Sequence, residues 1–165
     1  MAAPSKLTPT GFVVPYALRE SPVAGVGIFA TERAARGALL WRADATSQMT
    51  HTEASLGARL AELAAAAAVD VLEHIYCWEG EVLELIGDAK YWNHSRARQN
   101  TGNHPDGAGD GRGDGVSSYA LRDIEPGEEL LDDYAAYSNV PWFEALCRLH
   151  GAQSCTSVGT EFVNS

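Results

Sequence analysis

Short runs of apolar residues, each bounded by glycine, proline or polar turn residues, recur along the chain. We predict strands in four places before the middle of the chain, at residues 11–14, 16–19, 28–30 and 39–41. A second group of strands is predicted at residues 75–78, 81–86, 118–121 and 129–131. Turns at Ala35-Arg36-Gly37, Glu79-Gly80 and Glu125-Pro126-Gly127-Glu128 would join neighbouring strands, and the last of them has the composition of a type II turn.

A helical pattern interrupts the strands between residues 50 and 74. Thr50 and Glu53 have the spacing of a capping box, and apolar residues then recur every three or four positions. The apolar stripe consists of Leu56, Leu60, Leu63, Ala67 and Val71. This pattern predicts one mid-chain helix that ends near His74.

A short C-terminal helix is predicted from Pro141, which suits a first helical turn, to Gly151, which suits a helix end. The elements together predict a mainly β domain with α additions, an α+β fold. We expect a flexible lead-in over residues 1–10, the main domain over 11–138 and a C-terminal helical segment over 139–165.

The units around residues 28–40 and 118–130 resemble each other at an offset of 90 positions. Phe29-Ala30, Gly37 and Leu40 correspond to Tyr119-Ala120, Gly127 and Leu130. The correspondence indicates two similar strand–turn–strand units.

The segment 102–115 is rich in glycine and contains Asp106, Asp110 and Asp114, so it predicts a mobile loop. A calcium site is an alternative, although the spacing matches no EF-hand loop and the distal glutamate is absent. We therefore predict no metal site.

The formal net charge of −10 disfavours nucleic acid and anionic membranes as partners and suits a basic protein. No apolar stretch reaches the roughly 20 residues of a transmembrane helix, and no secretory signal is visible, so we expect an intracellular protein. Three widely spaced cysteines predict neither a disulfide framework nor a zinc site. Nothing in the sequence predicts an oligomeric state.

Three clusters are candidates for chemistry. Gly25-Val26-Gly27 is either a plain turn or a place where a ligand approaches the backbone closely. Tyr91-Trp92-Asn93-His94-Ser95 puts polar groups after two aromatic residues, which indicates either a turn with a satisfied buried histidine or a binding segment. The acidic run 127–133 before Tyr134 is either a solvated strand end or the support of a functional tyrosine hydroxyl.

In this order, the three clusters resemble the SET domain of protein lysine methyltransferases. That family has a Gly-x-Gly segment before a strand, a central aromatic or aliphatic pair followed by Asn-His-Ser, and a closing run of the form Ala-x-Arg-Asp-Ile-x-x-Gly-Glu-Glu-Leu-x-x-Asp-Tyr. Residues 120–134 fit the closing run at nearly every position. The resemblance spans about residues 12–137.

The resemblance implies a fold of several small β-sheets in which the Asn-His-Ser segment and the chain after it form a pseudoknot. It also implies the cofactor S-adenosylmethionine. The implied cofactor contacts are Gly25, Val26, Gly27, Tyr91, Asn93, His94 and Tyr134. Tyr134 would be the catalytic residue at the methyl-transfer channel, and Tyr137 and Tyr76 would either line that channel or serve in packing.

The implied function is transfer of a methyl group to a lysine of a basic protein, histone or another. The alternative is a SET-fold binding module that has lost catalysis, which the departure from the family at residues 96–99 favours. The cysteine-rich zinc segment that often follows the domain is missing, so we expect the aromatic terminal helix to close the site.

Overall fold

The computed structural model describes residues 10–107 and 114–161, with the side chains of residues 160 and 161 excepted. Residues 1–9 of the expected lead-in and residues 108–113 of the glycine-rich segment lie outside this description. The strands are β1 Tyr16–Glu20, β2 Val26–Ala30, β3 Leu39–Arg42, β4 Gln48–His51, β5 Ile75–Trp78, β6 Glu81–Leu85, β7 Asn93–His94, β8 Thr101–Gly102, β9 Ser117–Ala120 and β10 Leu131–Asp132. The α-helices are α1 Glu53–Ala61, α2 Ala65–Glu73, α3 Pro141–His150 and α4 Cys155–Glu161.

The strands form four small sheets, as the predicted class requires. β1 pairs with β2, β9 lies between β3 and β8, and β6 lies between β4 and β5, all antiparallel. β7 and β10 form a separate parallel pair. The predicted strand at residues 11–14 is reduced to a bridge between Phe12 and Trp41.

The two similar strand–turn–strand units bind each other reciprocally. The N–H of Gly37 donates to the carbonyl of Ala120, and the N–H of Gly127 donates to the carbonyl of Ala30, both at 2.7 Å. Ala34 and Ile124 exchange backbone hydrogen bonds of 2.9 and 2.8 Å. The sequence correspondence is therefore a local two-fold arrangement, with Gly127 at the positive φ of 91° that its turn requires.

The mid-chain helix is interrupted, contrary to the prediction of a single helix. Residues up to 51 belong to β4, and Thr52, not Thr50, accepts from the backbone N–H of Ser55 and caps α1. After the break at residues 62–64, α2 buries Ala68 and Leu72 where the sequence pattern predicted Ala67 and Val71. The break shifts the helical phase by one residue, and both helices then face the same core.

Two hydrophobic cores organise the domain. One lies between the paired units and includes Ile28, Leu40, Trp41 and Trp92. The other, which we call the helical core, joins α1, α2 and α3 to the β5–β6 hairpin. Among the described residues no helix is long and apolar enough to cross a membrane.

Candidate active site

The parallel pair β7–β10 brings the Asn-His-Ser segment against the closing run. Asn93 pairs with Leu131, and His94 pairs with Asp132. Asn100, which is 1% exposed, holds the pair together: its Nδ2 donates to the carbonyl of Glu129 at 2.8 Å, and its Oδ1 accepts from the N–H of Leu131 at 2.8 Å. These contacts fix the positions of the residues on either side of Leu131.

On one side of the pair, the amide of Asn93 reaches the Gly-x-Gly turn. Its Nδ2 lies 3.1 Å from the carbonyl oxygens of Ala24 and Val26 and 2.9 Å from Oε1 of Glu129. Ser21 donates from Oγ to the same Oε1 at 2.7 Å. Asn93 therefore connects the turn to the closing run, which is a structural task in addition to any ligand contact.

The two glycines of the turn are required for different reasons. Gly25 has φ of 47°, and a Cβ there would meet nothing within 4 Å, so the turn has free space in front of it. A Cβ on Gly27 would lie 2.1 Å from Oε1 of Glu129. We call the cluster of Ser21, the turn at residues 24–27, Asn93 and Glu129 the turn cluster.

The carboxylate of Glu129 is only partly satisfied. Its Oε1 accepts from Asn93 and Ser21, whereas its buried Oε2 has no hydrogen-bond partner among the residues that the structure describes. A buried carboxylate oxygen without a donor is costly, and a cationic ligand group would relieve that cost.

His94 and Tyr134 connect the turn cluster to the interior. The N–H of Tyr134 donates to Nδ1 of His94 at 3.0 Å, and the two rings lie 5.1 Å apart. Because Nδ1 accepts a hydrogen bond, a neutral His94 carries its proton on Nε2. The hydroxyl of Tyr134 donates to the carbonyl oxygen of Trp92.

Tyr134 also lines a cavity of about 130 Å³, which we call the aromatic cavity. For comparison, an apolar cavity of about 150 Å³ holds a benzene molecule. The residues that line it include Tyr76, Trp92, Asp132, Tyr134, Tyr137 and Cys155. The ring of Tyr137 lies 5.1 Å from that of Tyr76 and 6.1 Å from that of Tyr134.

Burial raises the pKa of the three tyrosines, the aspartate and the cysteine named above. The pKa of the Tyr134, Tyr137 and Cys155 side chains lies well above the ordinary value, chiefly because burial disfavours their charged forms. The pKa of Asp132 is raised for the same reason. The phenols and the thiol are therefore neutral near pH 7.

α4 closes one side of the aromatic cavity. Ser154 and Thr156 donate to the carboxylate of Glu144 on α3 at 2.9 and 2.7 Å, which places Cys155 between them at the cavity. A Cβ on Gly159 would lie 2.6 Å from the backbone N of Ala135, so α4 packs directly on the 3₁₀ helix Tyr134–Ala136. The expectation that the aromatic terminal helix closes the site was wrong, because Phe143 of α3 is buried in the helical core.

A family comparison agrees with this arrangement. The model of the SET domain matches residues 25–135, about two thirds of the 165 residues. The chain belongs to the SET domain family. The match begins at the Gly-x-Gly turn and ends one residue after Tyr134.

Two solved structures illustrate the range of similar proteins. A Plasmodium falciparum protein provisionally assigned as a histone methyltransferase aligns with 72% of this chain and 90% of its own, at 16% identity and a TM-score of 0.44. The Neurospora SET domain protein DIM-5, a histone lysine methyltransferase, aligns with 73% of this chain and 52% of its own, at 19% identity and a TM-score of 0.47. No curated protein gives a significant match.

Within this SET domain, most of the residues singled out from the sequence lie in two connected places. Gly25, Val26, Gly27 and Asn93 lie in the turn cluster, and Tyr134, Tyr137 and Tyr76 line the aromatic cavity, with His94 between the two. Tyr91 lies apart from the cavity lining; it packs against the core between the paired units, with Nζ of Lys90 5.0 Å from its ring centre.

Three residues of the site were not singled out individually in the sequence analysis, although two of them belong to its acidic run 127–133. Glu129, Asp132 and Cys155 lie at the turn cluster or in the aromatic cavity. Residues two apart on an extended segment face the same way, so Asp132 could have been assigned to the side of Tyr134. The position of Cys155 had no such signal, because α4 was not predicted.

The glycine-rich segment contributes little that the structure describes. Asp106 forms an ion pair with Arg36, and Asp114 accepts from the N–H groups of Val116 and Ser117. Asp110, the remaining aspartate of the calcium hypothesis, lies outside the described residues.

Proposed function

We propose that this SET domain is a protein-lysine N-methyltransferase that uses S-adenosylmethionine and acts on a basic protein. The observation that carries the proposal is the placement of Tyr134: its N–H binds His94 beside the turn cluster, and its side chain lines the aromatic cavity. One residue thus connects a polar turn with a cavity of about 130 Å³, which in this proposal receives the lysine side chain. The net charge of −10 suits a lysine-rich substrate.

The turn cluster fits the amino-acid end of S-adenosylmethionine. The space in front of Gly25, the exclusion of a side chain at Gly27 and the unpaired Oε2 of Glu129 together form a polar recess for a cation. Val26 and Gly27 would offer backbone groups, and Asn93 and His94 would hold the ligand from the β7 side. When bound, S-adenosylmethionine supplies an electron-poor methyl group on a sulfonium, which an amine can displace.

The tasks of the protein are then to position a lysine and to keep it neutral. A lysine with a pKa of about 10.4 is mostly protonated at pH 7, and an apolar enclosure lowers that pKa. The rings of Tyr76, Tyr134 and Tyr137 exclude water around the side chain, and the oxygen of Tyr134 can orient the amine. Alignment of the reacting atoms can contribute roughly 7–11 kcal/mol.

A methyl-transfer assay tests this function. The protein would be incubated with methyl-labelled S-adenosylmethionine and a set of lysine-rich proteins, and labelled lysines would be identified by mass spectrometry. We expect transfer by the parent and a loss of roughly 100-fold in Tyr134→Phe, because removal of the hydroxyl misplaces the amine.

Tyr119→Phe is the matched control, because Tyr119 lies on β9, packs edge-on against His104 and is not among the residues that line the cavity. This variant should retain the parent rate. Absence of transfer to any substrate would refute the proposal, and calorimetry would then separate two outcomes. Binding of S-adenosylmethionine without turnover would indicate the inactive binding module, and no binding would refute the cofactor assignment as well.

A further inference from the structure

A carboxyl group lies in the wall of the aromatic cavity. Asp132 accepts hydrogen bonds from the hydroxyl of Tyr137, from the amide of Gln99 at 3.4 Å and from the N–H of Asp133 at 2.8 Å. All of these donors are neutral. The carboxyl is therefore solvated by dipoles and lies among aromatic rings.

The surroundings of Asp132 favour a cationic partner. Burial, and after it the charge of Asp133, raise the pKa of its carboxyl, so the carboxylate form lacks compensation. Aromatic faces also attract cations, most strongly when both are removed from water. An ammonium group in the cavity would compensate the carboxylate and contact the rings of Tyr76 and Tyr137.

We propose that Asp132 binds the ε-ammonium group of the substrate lysine in the aromatic cavity and accepts its proton before methyl transfer. This inference rests on the proposed function and assigns the base that the reaction needs. In this step an N–H bond of the ammonium breaks, an O–H bond forms on the carboxylate, and the amine keeps the electron pair. The total charge of the pair is zero before and after the step, which suits an enclosed site.

The neighbours of Asp132 leave this proton transfer undisturbed. The titratable groups nearest to it are Tyr76 on β5, Tyr134 of the 3₁₀ helix, Tyr137 directly after that helix, Cys155 on α4 and the adjacent Asp133. Glu73, His74 and Lys90 also line the cavity. The phenols and the thiol have raised pKa values and keep their protons while Asp132 titrates. Asp133 accepts from Arg96 and caps the 3₁₀ helix, so its carboxylate is already engaged.

Binding of a small amine tests the role of Asp132 without a need for methyl transfer. Trp41, Trp78 and Trp92 line the cavity, so tryptophan fluorescence can follow titration with n-butylammonium, a lysine side-chain analogue, or with uncharged 1-butanol. We expect the parent to prefer the ammonium. Asp132→Asn should bind it roughly tenfold or more weakly, because a charged hydrogen bond is lost, and should bind 1-butanol as the parent does.

Asp123→Asn is the matched control, because Asp123 is a half-exposed aspartate paired with Arg33 outside the cavity lining. This variant should bind both probes as the parent does. Equal affinity of Asp132→Asn and the parent for n-butylammonium would overturn the inference. A thermal melt of each variant shows whether it is folded, so that a folding defect can be distinguished from a binding defect.

The pH dependence of methyl transfer gives a second readout. The kcat/KM of the parent should rise with pH as Asp132 ionises, which gives an ascending limb in the pH profile. Asp132→Asn should lack this limb, and its rate at pH 7 should be roughly 100-fold lower. Tyr137→Phe should move the limb to higher pH, because the Tyr137 hydroxyl lowers the pKa of Asp132. An unchanged limb in both variants would overturn the role of Asp132 as base.

The two readouts distinguish the two failures. Methyl transfer by the parent with an unaffected Asp132→Asn would leave the proposed function in place and refute this inference. Ammonium binding that depends on Asp132, without methyl transfer to any substrate, would refute the proposed function and retain the cation site.

Discussion

The turn cluster and the aromatic cavity both place an acidic side chain of the closing run against a space for a ligand, but they are built differently. Glu129 lies among backbone groups, a serine and an amide, and is held by Asn93 and Ser21. Asp132, three positions later, lies among rings and neutral donors. The segment between them is fixed by Asn100.

The difference shows how one short segment can support two spaces of unlike chemistry. A cluster of backbone groups and small residues recognises a ligand by hydrogen-bond geometry and tolerates solvent nearby. A cavity of rings recognises shape and charge because it excludes water. The two sites should therefore respond separately to local substitutions and together to loss of their common support.

Asn100→Ala should have the largest effect on stability and should damage both sites. The buried carbonyl of Glu129 and the buried N–H of Leu131 would lose their partners, at a cost of about 3 kcal/mol. Denaturant unfolding measures the loss, with the exposed Asn139→Ala as a control that should stay close to the parent. Damage to one ligand site alone would contradict the common support.

Gly27→Ala should damage the turn cluster and leave the aromatic cavity intact. The new Cβ would collide with the Glu129 carboxylate, which Ser21 and Asn93 hold in place, and we expect a loss of roughly 1–3 kcal/mol. Calorimetry should detect loss of S-adenosylmethionine binding, with binding of n-butylammonium retained. Gly25→Ala provides the comparison: only its positive φ opposes the substitution, at about 1 kcal/mol.

Asp132→Asn should have a smaller effect that appears in the pH dependence of stability. The pKa of Asp132 is raised in the folded state. Its contribution to folding stability is therefore fully present below about pH 3.9 and is lost as pH rises through the folded-state pKa. The variant should therefore gain stability relative to the parent between pH 4 and pH 7, as measured by thermal melts.

Asp123→Asn should behave in the opposite direction. Hydrogen bonds from the Arg36 N–H and the Arg33 side chain lower the pKa of Asp123, so its contribution is present at pH 7 and is lost as pH falls. A parent-like pH profile for Asp132→Asn would indicate that burial in the cavity does not perturb its carboxyl.

Local signals in the sequence predicted much of the fold. The turn chemistry at Glu79-Gly80 and Pro126-Gly127 is confirmed by positive φ angles. The offset of 90 positions indicated two similar units, and the structure shows in addition that they bind each other. The break in the mid-chain helix was harder to predict, because an alanine-rich sequence shows a helical pattern on both sides of the break and across it. Only packing against the helical core decides that Ala68 and not Ala67 is buried.

The site was predictable where sequence motifs encode it and not where distant elements meet. Asn93, His94 and Tyr134 belong to motifs, and the structure brings them together. Tyr91 belongs to the same motif and stays a predicted cofactor contact; it is partly buried against the core between the paired units, whereas its neighbour Trp92 lines the aromatic cavity. The place of Cys155 depends on contacts of α4 with α3 and the 3₁₀ helix, which no local pattern contains.

The reciprocal hydrogen bonds between the two strand–turn–strand units can form only after the second unit has been synthesised. The partners are separated by about 90 residues, so at about 5–20 residues per second the ribosome makes the second unit several seconds after the first. During that interval the backbone groups of Ala34 and Gly37 that bind Ile124 and Ala120 lack these partners and form an open edge for other chains. Slow translation should therefore expose this protein to aggregation, and chaperones that shield nascent strands should increase its yield.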